Sequence, residues 1–465
     1  MNHRSITALI AACGVALPTL ALAQTPAELS QQMQRMQEAM TAMQTRINEL
    51  EAAQKPKDGQ QWGMTLDQVK QLNRTTVKAD ALEEAQETLG YKGLKIGGLI
   101  DPTFIHTGNQ NRTGFQFLNS ARNFEYAFDN GTFGMAMLDF QKEMEGGTKW
   151  RLRLTPNRGG GGSTIDGESI VHEASMSVPL GDLQTRLIAG QMPDWSGHEF
   201  AEPTLNRLIT HNLLFDFTIP TVYTGAGVDL NLNPWYVKAV LANVNSSKKR
   251  NGEKLPALAY RVDFYDYKKE FNGWGFAGLH GKISNFRADD GVGNPVTGLP
   301  YDSRDSMVNA FEVDGFYSRG DWTMSGQLSV GSQRRAAVTA DPLTGELRDS
   351  LWWGASTMAS YKFTPRLETI ARLDYLNNKK NGGGLLGWVF PDSRNGIGPD
   401  PFGDQEIGAN RMALSLGTRY IINANTTVKA EYRLDRASQP VFLDLRDNRY
   451  KRSNQLLGAS VVMSF

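Results

Sequence analysis

Three features are scarce in this sequence of 465 residues: cysteine, an excess of charge of either sign, and long apolar runs. The single cysteine excludes a disulfide framework and a zinc site built on cysteines. The 49 Lys and Arg residues balance 49 Asp and Glu residues without a long basic run, which argues against a nucleic-acid partner. Beyond the N-terminus no stretch of about 18 apolar residues occurs, so a helical membrane span is excluded. The strands of a membrane barrel need only about 10 residues of alternating polarity, and they remain compatible with this composition.

The N-terminus has the pattern of a secretory signal peptide. A basic start precedes an apolar segment that ends with small residues at Ala21 and Ala23. We therefore predict that residues 1–23 are a cleaved signal, which would remove Cys13 as well. The alternative is lipoprotein cleavage before Cys13, although the apolar segment in front of that residue is short.

Residues 24–54 carry a heptad pattern. Its apolar positions are Leu29, Met33, Met36, Met40, Met43, Ile47 and Leu50. A 4-3 spacing keeps one apolar seam on one side of a helix, so the pattern predicts a short coiled coil in the periplasm. The alternative is an amphipathic helix on the chain's own surface. Residues 55–90 are predicted to form a linker and a second helix.

From Tyr91 to the end of the chain, apolar residues alternate with polar ones. The segment from Met412 to Tyr420, for example, has apolar residues or threonine at every second position. Counting such segments predicts about sixteen antiparallel strands between 91 and 465. An extra candidate at 113–128 would give an odd number of strands, and we assign it to the first outer loop.

The lengths of the connections distinguish a membrane barrel from a soluble sandwich. Short turns, such as those at Asn423-Ala424-Asn425 and Arg319-Gly320, alternate with long polar connections along the whole region. This asymmetry is typical of outer-membrane barrels, which have short periplasmic turns and long outer loops. Tryptophans stand just after three of the short turns, at the expected depth of an interfacial aromatic belt.

The chain ends on an aromatic residue, Phe465, preceded by apolar residues at every second position back to Leu457. This strand resembles the C-terminal signal that the barrel-assembly machinery recognises in Gram-negative outer-membrane proteins. The chain resembles the general porins, and its coiled coil is similar to the periplasmic extension of sugar- and phosphate-selective trimeric porins. The segments 91–96 and 123–126 resemble a family of uncharacterised proteobacterial porins. The resemblance implies an outer-membrane, homotrimeric diffusion channel whose partners are membrane lipid, the assembly machinery and other copies of itself.

The inward faces of such a barrel would carry charges of both signs. The predicted pore-lining basic residues are Lys149, Arg151, Arg153, Arg186, Arg261, Arg372, Arg411, Arg419 and Arg433, with Lys429 beside them. The acidic residues on the same faces are Glu173, Asp229, Asp263, Glu312, Asp314, Glu368, Asp374, Glu431 and Asp435. The near balance predicts at most a mild preference for anions, because rows of charge filter solutes by sign. The alternative is that these charges only solvate the wall and pair across strands.

The long connection 193–221 is the third outer loop. Sixteen-stranded porins fold the loop at this position inward, and the apolar content of the segment favours packing against the wall. Its polar residues would then form the constriction: Asp194, His198, Glu199, Glu202, Arg207 and His211. The alternatives are a cap over the barrel or a contact with a neighbouring subunit.

Catalytic and metal-binding motifs are weak. The sequence His198-Glu199-Phe200-Ala201-Glu202 lacks the second histidine of a zinc-protease helix, so we predict no metal and no cofactor. The strand histidines His172 and His280 have no evident serine partner, and we therefore do not expect an enzyme. The alternatives to a passive porin are a lipid-hydrolysing barrel enzyme and a structural tether that uses the coiled coil.

Overall fold

The computed structural model describes most of the chain after residue 65. The described residues are 41, 42, 44–46, 48, 66–88, 91–109, 112–117, 134–156, 170–246, 255–266, 271–285, 287, 288, 293–301 and 305–465. The predicted signal peptide and all seven heptad positions lie outside them. Contacts divide the chain into two units, residues 1–92 and residues 93–465.

The first unit contains helix α1, Leu66–Thr88, a stretch without glycine or proline. Its apolar residues are few and dispersed, and Leu72 is half-exposed. Within the part of the chain that the structure describes, no helix is both long and apolar enough to cross a bilayer.

The second unit is a closed antiparallel β-barrel of sixteen strands, as the alternating pattern predicted. Its strands are β1 Leu94–Ile100 with β2 Thr103–Thr107, β4 Ala136–Glu143, β5 Lys149–Leu154, β6 Val171–Leu180, β7 Asp182–Pro193, β8 Val222–Asn231, β9 Trp235–Val244, β10 Ala257–Asp266, β11 Phe271–Ser284, β12 Asp305–Arg319, β13 Trp322–Gln333, β14 Ser350–Lys362, β15 Leu367–Asn377, β16 Arg411–Asn423, β17 Thr426–Ala437 and β20 Ser453–Ser464. Each strand pairs with the next along the chain, with β1 and β2 counted as one.

The barrel closes between its first and last strands. Strand β1 pairs with β4 on one side and with β20 on the other, where Ile100 lies opposite Met463. Gly98 and Phe465 exchange two backbone hydrogen bonds of 3.2 and 3.1 Å. A Cβ atom at Gly98 would lie 2.7 Å from the Phe465 ring, so only glycine fits beneath this aromatic ring.

The first strand is interrupted, which the sequence pattern did not predict. The ladder is interrupted at Asp101-Pro102 between β1 and β2, where proline offers no backbone donor. Strand β3, Arg112–Gln116, pairs with β2 and extends this hairpin into the first outer loop. A second short hairpin, β18 Phe442–Asp444 with β19 Arg449–Lys451, lies in the last outer loop.

Side chains alternate between the two faces of the wall. On β16, Met412, Leu414 and Leu416 are 38–49% exposed, whereas Arg411 and Ser415 are buried. Apolar residues therefore cover the outer surface, and polar residues point into the barrel. Trp235, Trp274 and Trp322 are exposed on the outer surface beside short turns, as the loop analysis predicted.

The interior of the barrel is partly filled by an apolar cluster. Its centre is helix α2, Leu213–Thr218, which lies in the connection between β7 and β8. Leu213, Leu214 and Phe217 pack with inward-facing residues of the wall, such as Trp352, and with the outer-loop residue Leu385. This cluster excludes water from part of the barrel and confines open space to the remaining wall.

Candidate functional site

The connection from residue 194 to residue 221, here called the inner loop, lies inside the barrel. Its side chains and backbone form hydrogen bonds with inward-facing residues of β5, β12, β13, β15 and β17. The loop is therefore attached to the wall at several points around the barrel.

Lys429 on β17 binds three carbonyl groups of the inner loop. Its Nζ atom donates to the carbonyl oxygens of Pro203, Asn206 and Leu208 at 2.5, 2.7 and 3.2 Å. The side chain is buried. All three donors of the ammonium group are thus used to hold one turn of the loop.

Two arginines bind the next segment of the loop. Arg372 on β15 donates to the carbonyl oxygens of Thr210 and His211, each at 2.7 Å, and to Glu199 Oε1 at 2.9 Å. Arg433 on β17 also donates to the His211 carbonyl, at 2.7 Å. Both guanidinium groups are buried, so they bind this peptide segment instead of facing open water.

Carboxylates satisfy the backbone donors of the same segment. Glu431 on β17 accepts from the backbone nitrogens of Ile209 and Thr210 at 2.7 and 2.8 Å, and from Thr210 Oγ1 at 2.6 Å. Glu199 accepts from the Asn212 backbone nitrogen at 2.6 Å. The buried peptide groups are therefore paired, which removes the cost of burying a loop inside the barrel.

Helix α2 is positioned by its N-terminal cap. The Asn212 side-chain oxygen accepts from the backbone nitrogens of Leu214 and Phe215 at 2.9 and 2.8 Å. The Asn212 amide also donates to Gln327 on β13 at 3.2 Å. One residue therefore starts the helix and fixes it to the wall.

A cavity of about 800 Å³ lies between the inner loop and the part of the wall that runs from β1 to β10. Its basic lining residues are Lys95, Lys142, Lys149, Arg151, Arg153, Lys238 and Arg261. Its acidic lining residues are Glu143, Glu173, Asp194, Glu202, Asp229 and Asp263. With seven basic and six acidic side chains, the lining is close to neutral.

The densest charge in the cavity is a paired cluster on β4, β5 and β6. Arg151 Nε donates to Asp139 Oδ1 at 2.9 Å and lies 3.7 Å from Glu173. Arg153 lies within ion-pair distance of Asp139 and Glu173 at 3.4 and 3.5 Å, and it donates to Glu202 of the inner loop. The basic row of β5 therefore faces carboxylates on both sides, which weakens its attraction for free anions.

A second cluster surrounds Arg261 on β10. Its guanidinium donates to both oxygens of Asp314 at 2.8 and 3.0 Å and to Asp263 at 2.9 Å. Glu312 on β12 accepts from the Gly197 backbone nitrogen of the inner loop.

Burial raises the pKa of Asp194, also in the loop, to about 6 against the opposing hydrogen bonds from Tyr223 and Ser196.

The loop histidines favour their neutral forms. Burial lowers the pKa of His198 and of His211, and it outweighs the attraction of Glu199 for the protonated rings. Burial alone would raise the pKa of Glu199, but Arg372, with smaller contributions from the two histidines, holds it below its usual value.

The predicted pore-lining residues occupy three different environments. Lys149, Arg151, Arg153 and Arg261 line the cavity. Arg186 donates to the backbone of Gly147 and Ser177, and Arg419 pairs with Glu368 at 2.7 Å. Arg372, Arg411 and Arg433 are 2% exposed or less, and Arg411 packs over the rings of Phe217 and Phe442. Alternation carries no information on what covers an inward-facing side chain.

The predicted constriction residues are divided in the same way. Asp194 and Glu202 line the cavity, Glu199 binds Arg372, and Arg207 pairs with Glu368 at 3.0 Å. His211 stacks on Phe215 at 4.1 Å between ring centroids, and no described residue forms a hydrogen bond with the buried ring nitrogens of His198. The described residues contain no group of three or more metal-ligating side chains.

The cavity lining includes three residues that the sequence did not predict as site residues: Lys238, Phe200 and Leu205. Lys238 could have been found from the alternation of β9, where Trp235 faces outward. The exposure of Phe200 and Leu205 carries no signal in the sequence, because it depends on how the loop packs.

His280, one of the histidines considered for a barrel enzyme, lies on the outer surface of β11. Its ring nitrogens are 3.2 Å from the Tyr260 hydroxyl and 3.2 Å from the Asn309 side-chain oxygen. The ring therefore contacts a phenol and an amide through its two nitrogens.

Comparison with solved structures shows the fold. The outer membrane channel DcaP of Acinetobacter baumannii is 12% identical, with a TM-score of 0.50, over 80% of this chain and 97% of that one. The anion-selective porin from Comamonas acidovorans is 9% identical, with a TM-score of 0.47, over 80% and 99%. Salmonella typhi OmpF, in a complex with daunomycin, is 12% identical, with a TM-score of 0.46, over 80% and 97%. At 12% identity, the likeness to DcaP shows a porin-like barrel fold alone.

Among curated proteins, no sequence matches this chain. The family described as protein of unknown function (DUF3138) matches residues 61–465, which include the whole barrel. The chain therefore belongs to the DUF3138 family.

Proposed function

We propose that this protein is an outer-membrane porin through which small hydrophilic solutes diffuse passively. The observation that carries the proposal is the cavity between the inner loop and the wall from β1 to β10, lined by charges of both signs. Paired charges keep such a passage wet without binding one ion strongly. The porin-like fold and the apolar outer surface support placement in the outer membrane.

Planar-bilayer recording of the purified protein tests the channel itself. A porin gives stepwise conductance in potassium chloride, whereas protein without a continuous passage gives none after verified insertion. Folding is checked before the recording by gel electrophoresis. A folded barrel migrates differently in unheated and in heated samples. Absence of current from folded, inserted protein would refute the proposal.

We also propose a weak preference for anions, in line with the near balance of charges predicted for the inward faces. Seven basic against six acidic lining residues leave only one positive charge in excess, so a small reversal potential is expected across a salt gradient. Replacing Arg151 and Arg153 together by Ser should move the preference toward cations, because Glu173 and Glu202 then lose their partners. Arg366→Ser, in an exposed turn, is the matched control. An unchanged reversal potential in the double variant would show that these arginines do not act on permeating ions.

The assembly we propose is a homotrimer held through the barrel and the predicted coiled coil of residues 24–54. Light scattering of detergent-purified protein should give three copies, and deletion of residues 24–60 should weaken the trimer while leaving conductance. Loss of conductance on that deletion would contradict this division of roles. If the protein were a structural tether, the deletion would abolish tethering, because the tether uses the coiled coil.

A further inference from the structure

The cavity has two unlike sides. The wall side carries most of the charged residues described above, whereas the loop side carries Asp194 and Glu202 and also presents Trp195, Phe200, Ala201, Leu205, Phe215, Ile219 and Pro220. A solute in the cavity can therefore contact apolar side chains of the loop and charged side chains of the wall together.

Phe200 and Leu205 are unusually exposed for apolar residues inside a barrel. Their exposed fractions are 48% and 54%, and both line the cavity. The backbone beneath Phe200 is fixed, because its nitrogen donates to Asn206 Oδ1 at 3.0 Å and its carbonyl lies 2.7 Å from His211 Nε2. The ring is thus held in the passage by a rigid loop, which lowers the entropic cost of contact with an apolar solute.

The accessible charges on the opposite side occur as pairs of opposite sign. Lys238 and Asp229, on neighbouring strands, are 3.6 Å apart with about a third of each side chain exposed. Arg151, also about a third exposed, lies 3.7 Å from Glu173. A single ion near such a pair is attracted by one partner and repelled by the other, whereas a zwitterion can satisfy both.

The aromatic residue Trp195 connects the two sides. Lys238 Nζ lies 5.3 Å from the centroid of the Trp195 ring, and the ring packs against Tyr223 at 4.7 Å. The pair Lys238 and Asp229 is therefore adjacent to an aromatic surface. A ligand that combines an ammonium, a carboxylate and a ring matches this arrangement of groups.

We propose that the cavity is a binding site for small zwitterions that carry an apolar or aromatic side group, with aromatic amino acids as the simplest members. The proposal rests on the function proposed above and names the class of solute that the passage favours. Phe200 and Leu205 contact the apolar group, and the paired charges of β8 and β9 bind the zwitterionic end. The cavity volume of about 800 Å³ leaves room for such a molecule together with water.

The test compares three probes in the full-length, detergent-purified protein. L-phenylalanine is the expected ligand, L-glutamine is a zwitterion of similar size without an apolar ring, and phenylacetate has the ring but a single charge. Half-blocking concentrations of the potassium chloride current are measured in bilayers, and binding is measured separately by calorimetry. We expect phenylalanine to act at about tenfold lower concentration than glutamine, which is the upper range for one aromatic contact, and at lower concentration than phenylacetate, which lacks the ammonium group.

The decisive variant replaces Phe200 and Leu205 together by Ser. It should bring phenylalanine to the level of glutamine without abolishing current, because the backbone contacts of the loop are retained. The control replaces Phe402 and Leu343, 87% and 85% exposed in outer loops, by Ser and should keep the tenfold difference. Equal binding of the three probes to the wild type, or an unchanged preference in the Phe200 and Leu205 variant, would overturn the proposal. Calorimetric binding without any current would refute the channel and leave the site intact, whereas current without preference would refute only the site.

Discussion

Lys429 gives the sharpest test of how the inner loop is held. In Lys429→Met, a side chain of similar length loses three hydrogen bonds to Pro203, Asn206 and Leu208, of 2.5, 2.7 and 3.2 Å. A hydrogen bond from a charged donor contributes roughly 1.5–3 kcal/mol, and three bonds from one ammonium group are not additive. We take about 4 kcal/mol for the set, which corresponds to about a thousandfold shift between the packed and released loop.

The release should be visible in two assays. Trypsin should cut the inner loop at Arg207 faster in the variant, since cleavage follows the population of the opened segment. In the proposed channel, single-channel conductance should rise or become noisy, because a released loop would leave the passage wider. Lys362→Met, at an exposed position at the end of β14, is the matched control and should behave as wild type. If the folded variant shows unchanged cleavage and unchanged current, the loop is held by other contacts and this reasoning is wrong.

Three further predictions concern the loop and the closure of the barrel. Because burial raises the pKa of Asp194 to about 6, its contribution to stability is complete below its ordinary value of 3.8 and is lost as the pH rises through 6. The melting temperature of wild type relative to Asp194→Asn should therefore fall as the pH rises from 3.8 to about 6 and level off above that; a constant difference would contradict this. Asn212→Ala should cost about 1 kcal/mol of loop stability through the lost helix cap, measured by limited proteolysis. Gly98→Val should reduce the heat-modifiable, folded fraction on gels, because a Cβ atom there lies 2.7 Å from the Phe465 ring; an unchanged fraction would show that the seam can adjust.

The barrel could be predicted from sequence because its signal is local. Alternation with a period of two indicates which residues lie on the outer face of the barrel. The turns around Arg319-Gly320 and Ala424 mark where one strand ends and the next begins. The alternating segment from Met412 to Tyr420, for example, lies within strand β16, Arg411–Asn423. The interruption at Asp101-Pro102 was missed because it leaves the alternation of the strand unchanged.

The site could be predicted only in part, because its form depends on contacts distant in sequence. The inward direction of Arg372 and Arg433 follows from alternation, but their burial depends on a loop residue, His211, that lies 161 and 222 positions earlier and binds them. No local pattern distinguishes them from Arg151, which remains accessible to the cavity. The position of the loop itself was an expectation drawn from porins, and the ion pairs that attach it involve residues that no spacing rule connects.

The cavity lies along one side of the barrel wall, so substitutions of inward-facing wall residues fall into two kinds. Inward residues of β13, β15 and β17 are packed beneath the inner loop, so replacing them resembles replacing core residues of a soluble protein and is felt as lost stability. Asp229 of β8 and Lys238 of β9 border open space, where a replacement alters the lining of the proposed channel at little cost to the fold. Related sequences can therefore vary this lining along one arc of the wall while the opposite arc keeps the same scaffold, and natural variation along the two arcs should differ accordingly.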